Sequence, residues 1–76
     1  MPSDPEVERV VIAIRESMEM GRNPTIGRLL WLTYNVYTLA QLRRIIRRGI
    51  RSGRLAGPGR GRGWSGYRFV EVPHAE

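Results

Sequence analysis

Residues 38–55 read TLAQLRRIIRRGIRSGRL. Leu39, Leu42, Ile46 and Ile50 recur at helical spacing, which predicts a helix with one face on a core. Arg43, Arg44, Arg47, Arg48, Arg51 and Arg54 stand among them, and no acid does. Such a segment must bury its apolar stripe and leave a strongly cationic surface outside. Thr38 and Gln41 have the spacing of a capping box, so the helix is expected to start at Thr38 and run over about 38–52. Tyr37 and Leu42 are placed to form a hydrophobic staple across that start. Gly49 either lets another backbone come close or ends the helix near Arg48.

The chain is short. Its 76 residues allow one domain, and a chain of that size buries only about 60% of its unfolded surface. It has no cysteine, so disulfides and thiolate metal sites are excluded. Its one histidine is His74 and its one aspartate is Asp4. That inventory gives no zinc site and no Ser-His or Cys-His couple, so neither an enzyme nor a cofactor is expected. No apolar run nears the roughly 20 residues that span a bilayer. The start, MPSDPEVER, is acidic and unlike a signal peptide, so a cytoplasmic, nucleoid-associated protein is expected.

Charge is divided sharply along the chain. Residues 1–20 hold five acids and two arginines; residues 21–70 hold eleven arginines and no acid. All 13 basic residues are arginine, as GC-rich coding alone would give. Arginine is always charged and grips phosphate or guanine through paired hydrogen bonds. Fifty residues so charged repel one another unless a polyanion is near.

The remaining elements follow from local signals. Asp4-Pro5 caps a first helix over about 5–20, with Val7, Val10, Val11, Ile14 and Met18 on its core face and Gly21 as its stop. Ile12 lies off that face, either as a lone exposed residue or as part of a dimer contact. Asn23-Pro24 repeats the signature and predicts a second helix over about 24–33. Its core face is Ile26, Leu29 and Leu30, and Trp31 points away. Residues 34–37 form a turn. Beyond Gly53, a short strand over 54–56, a glycine-rich loop over 57–66 and an aromatic, β-branched strand over 67–72 predict a hairpin.

The capped helix TLAQLRRIIRRGI, its exit SGRL and the strand-loop-strand RLAGPGRGRGWSGYRFV resemble the winged helix-turn-helix DNA-binding domains of bacterial, archaeal and phage transcription regulators. The resemblance covers about residues 6–72. It implies an α+β fold of three helices followed by a two-stranded β-hairpin wing over about 54–72. It also implies a double-stranded-DNA partner, with the third helix in the major groove and the wing on phosphate or the minor groove. A single such domain reads few base pairs, so a homodimer on a two-fold site is expected.

The residues carry the same expectation by themselves. With Leu39, Leu42, Ile46 and Ile50 inward, Gln41, Arg44, Arg48 and Arg51 form one outward stripe. Arg47 flanks it, and Arg43 snorkels at the core edge. Gln41 and Arg44 are assigned to bases, Arg48 to bases or phosphate, and Arg47 and Arg51 to phosphate. The Thr38 hydroxyl and nearby N–H groups can hold a further phosphate. A merely solvated face would mix acids in at i±4, and this one has none. In the loop, Arg60 and Arg62 form an R-G-R similar to the core of AT-hook segments, with Gly63 where those have proline. A narrow minor groove attracts such arginines. Trp64 is expected to pack under the hairpin, and Tyr67 and Phe69 to join the core.

Two other function classes compete. An architectural or recombination-accessory protein would bind DNA through charge alone and could assemble along it, the acidic first helix of one copy meeting the basic face of the next. A protein adaptor or RNA-binding module is the other. An adaptor has no need of an acid-free helix, and single-strand RNA readers usually expose several aromatics. No small-molecule pocket is visible in the sequence. Ile12, Met20 and Trp31 are the apolar residues left over for a contact between copies.

Overall fold

A computed structural model describes residues 4–58, 64 and 66–73. Asp4 opens the first helix, α1 (Pro5–Glu19), by accepting from the backbone N–H groups of Glu6 at 3.1 Å and Val7 at 3.3 Å. Val7, Val10, Val11, Ala13, Ile14 and Ser17 form its buried face. Met18, expected in the core, is exposed. Ser17 takes the inward place, and its hydroxyl donates to the Arg22 carbonyl at 2.8 Å, which makes burial of a polar side chain tolerable.

The second helix, α2 (Ile26–Leu32), starts two residues later than its Asn-Pro signal predicts. Pro24 lies outside it, fully buried, and its carbonyl accepts from Phe69 N–H at 3.0 Å. That long-range bond holds Pro24 in the connection, and the cap passes to Thr25, whose hydroxyl accepts from Arg28 N–H at 3.3 Å. Leu29 is buried, while Ile26, Leu30 and Leu32 pack partly against the core.

The third helix, α3 (Leu39–Arg51), has both halves of the capping box. Gln41 N–H donates to the Thr38 hydroxyl at 3.2 Å, and Thr38 N–H donates to Gln41 Oε1 at 2.8 Å. Its buried residues are Leu42, Ile45, Ile46 and Gly49. Leu39 is exposed and Ile50 half-buried, so the inward face is turned by about 50°, half a residue step, from the one expected. Gly49 explains the turn. A Cβ there would lie 2.6 Å from Leu55 Cδ1 and 3.2 Å from Val7 Cγ1, so its bare backbone is the seat for those two side chains. The helix runs past Gly49 and closes at Gly53 (φ +80°), where the N–H groups of Gly53 and Arg54 bond to the carbonyls of Ile50 and Gly49.

β1 (Leu55–Ala56) pairs antiparallel with β2 (Val70–Glu71), Leu55 opposite Glu71 and Ala56 opposite Val70. Val72 N–H adds a bond to the Arg54 carbonyl at 2.9 Å. The strands are shorter than expected: Phe69 N–H bonds to Pro24 instead of β1, Phe69 is buried, and Tyr67, expected in the core, is exposed. Trp64 does pack against the core, edge-on to Phe69 with ring centroids 5.3 Å apart. The centre of the molecule is α1, which packs on α2, α3 and β2. Three helices and this small sheet make an α+β fold. No helix among the described residues is long and apolar enough to cross a membrane.

Candidate nucleic-acid interface

The rotation of α3 decides which arginines face outward. Ala40, Arg44, Arg47 and Arg51 line the side opposite the core, at spacings of four, three and four residues. Arg43 flanks them and is exposed rather than tucked at the core edge. None of these four arginines pairs with a carboxylate among the described residues. The Arg47 guanidinium lies over the Trp64 ring, 5.4 Å from its centroid. That stacking sets Arg47 beside the loop that carries Trp64.

Arg48 has a different role. It sits on the flank facing the start of α1, where its Nε and Nη2 donate to Asp4 Oδ2 and Oδ1 at 3.0 and 3.2 Å. Nη2 also donates to Glu6 Oε1 at 2.7 Å. The Arg48 hydrogen bond holds the Asp4 carboxyl below its ordinary value against the opposing effect of burial, and the N–H groups of Val7 and Glu6 assist. The same contacts raise the Arg48 pKa.

Arg54 is buried. Its Nε and Nη2 grip both oxygens of Glu8 at 2.8 and 3.0 Å, and Nη1 donates to the Val72 carbonyl at 3.0 Å. Nη1 is also 3.0 Å from Glu71 Oε2, and Glu71 takes two bonds from Arg15 at 2.9 and 2.6 Å. The chain Arg15–Glu71–Arg54–Glu8 ties the sheet to α1. The six arginines of residues 38–55 thus divide by role: Arg48 and Arg54 serve the fold, and Arg43, Arg44, Arg47 and Arg51 face solvent. Nothing local signals this division, because the partners are distant in the chain, Asp4 44 residues from Arg48 and Glu8 46 from Arg54.

Gln41 and Thr38 are exposed, but the capping box uses part of each. A glutamine reads adenine by donating and accepting at once. Gln41 Oε1 already accepts from Thr38 N–H, so only its amide donors remain. Thr38 keeps its hydroxyl donor. Arg60 and Arg62 lie outside the described residues. Arg22, Arg28 and Arg68 also have no carboxylate partner among the described residues.

The arrangement can do one thing well. Four unpaired guanidiniums on one helical face, with the nearest acids held by Arg48 and Arg54, give a positive field with no local cancellation. Among the described residues no group of acids and histidines could hold a metal ion. Comparisons with family models, with curated proteins and with solved structures found no match to this chain.

Proposed function

We propose that this protein is a winged helix-turn-helix domain that binds double-stranded DNA as a sequence-specific transcriptional regulator. The exposed, acid-free face of α3 carries this assignment. A helix fits the major groove, which is about 12 Å wide. Ala40, small and exposed near the start of α3, leaves room for close approach to base edges. Arg44 and Arg47, next along the same face, have the reach and geometry to grip guanine O6 and N7. Arg43 and Arg51 flank them and suit phosphate. The loop between β1 and β2 takes the place of the wing, and the Arg47–Trp64 stack links it to the helix.

Gln41 favours a second reading, an architectural protein without sequence preference. With its amide oxygen engaged, the surface offers guanidiniums and one methyl group but no adenine pair. Arginines alone serve phosphates as readily as guanines.

Titration of a duplex at rising salt tests the assignment. The two arginines assigned to phosphate, Arg43 and Arg51, predict a slope of log K against log salt of about −1.8 or steeper, at about −0.9 per contact. A slope near zero removes the arginine face from any duplex interface.

A further inference from the structure

α1 turns one stripe away from the rest of the fold. Ile12 is 51% exposed, and Glu16 and Glu19 lie four and seven residues beyond it on the same side. Neither glutamate has an ion-pair partner among the described residues, whereas Asp4, Glu6 and Glu8 are all engaged. A second surface lies at the end of α2. Trp31, Tyr34 and Val36 are 59%, 69% and 48% exposed and line a shallow depression. Arg28 covers one face of Trp31, 5.1 Å from the ring centroid, and Arg22 borders the same side of the molecule. Neither arginine has a carboxylate partner among the described residues.

One surface therefore carries two unpaired glutamates beside Ile12, with Arg9 at its N-terminal end, and the other is apolar and cationic. Pairing the Trp31 surface with itself would set Arg22 and Arg28 of two copies together. Pairing the α1 stripe with itself, antiparallel about Ile12, sets Arg9 against Glu16 but leaves Glu19 without a cation. Only the cross pairing gives both glutamates and both arginines a partner of opposite charge. An arginine stacked on an indole still has its in-plane N–H groups available to a carboxylate.

We propose that the Ile12–Glu16–Glu19 stripe of one copy docks on the Trp31–Tyr34 surface of the next. The contact is head-to-tail, so each pair keeps one open surface of each kind and can add further copies. Few side chains take part, well short of the roughly 800 Å² per partner of a standard interface, so the contact is weak in the free protein. A shared duplex would raise the effective concentration and turn it into cooperative binding. That use rests on the DNA-binding assignment; the contact itself does not.

Sedimentation velocity of the free protein tests it, from about 10 μM to about 1 mM. The variants are Glu16→Arg with Glu19→Arg, Arg22→Glu with Arg28→Glu, and Trp31→Ala, each checked for helicity by circular dichroism. The expected result is a sedimentation coefficient that rises with concentration for the wild type and stays monomeric for every variant alone. An equimolar mixture of the two charge-reversed proteins should recover association. Three results overturn the proposal: a wild type monomeric throughout, association that survives both charge reversals, or charge-reversed proteins that fail to rescue each other. No DNA is present, so either outcome leaves the duplex-binding assignment to its own test.

Discussion

Arg48 donates to both carboxylate oxygens of Asp4, at 3.0 and 3.2 Å, across 44 residues of chain. Asp4 is also the cap of α1, so one side chain starts the first helix and holds an arginine of the third. Asparagine caps as well as aspartate but carries no charge. Glu6 also holds Arg48, so Asp4→Asn combined with Glu6→Gln should leave the helix in place and release Arg48 toward a bound duplex. Duplex titrations are expected to show tighter binding and a salt slope steeper by about 0.9. An unchanged slope means that Arg48 cannot reach phosphate even when released.

Arg44 and Arg54 differ in role though both are arginines of one segment. Arg44 is exposed and unpaired, so Arg44→Ala should shift stability by no more than about 0.5 kcal/mol. It should cost about 1–3 kcal/mol of binding, with relaxed preference at one base position. Arg54→Ala removes the paired bonds to Glu8 and one of the cations at Glu71, and opens a buried site. Discounted for the partial exposure of those carboxylates, the cost is about 2–4 kcal/mol of stability. Urea denaturation and duplex titration of both variants separate the two effects.

Glu71 gives the fold a pH dependence. The hydrogen bond from Arg15, opposed by burial and helped by Arg54, holds its carboxyl down from 4.5 to about 2. Between those values the unfolded chain binds a proton that the folded one does not, so stability falls as pH falls. The contribution is complete above about pH 5 and gone near pH 2. Melting temperatures across that range should fall more for the wild type than for Glu71→Gln. Parallel curves would mean that the carboxylate is not held by its arginines.

Two glycines make opposite predictions for the same change. At Gly27 a Cβ meets nothing within 4 Å, so Gly27→Ala should stabilise by about 0.4–1 kcal/mol. At Gly49 the Cβ meets Leu55 at 2.6 and 2.9 Å, both residues buried. Overpacking at about 1–3 kcal/mol outweighs the helix preference of about 1 kcal/mol, so Gly49→Ala should destabilise. Urea midpoints of the two variants should move in opposite directions.

Local chemistry made much of the fold legible in the sequence. The cap at Asp4, the box at Thr38 and Gln41, and the stop at Gly21 depend on residues within one turn, and each stands where expected. What went unread was set by distant partners. Pro24 is kept out of α2 by Phe69, 45 residues on. The core side of α3 is set by Leu55 and Val7 closing on Gly49, which a wheel that counts only large apolar residues misses. The roles of Arg48 and Arg54 depend on acids of α1 and β2. The basic face itself was visible as arginines without acids; which of them face outward was not.

The most direct test is selection from a random duplex pool at about physiological salt, run with the wild type and with Arg44→Ala. A recovered motif with guanines at fixed positions is expected for the wild type, with one of those positions relaxed for the variant. Failure of the wild type to retain any duplex would contradict that expectation and remove DNA as the partner of the α3 arginines.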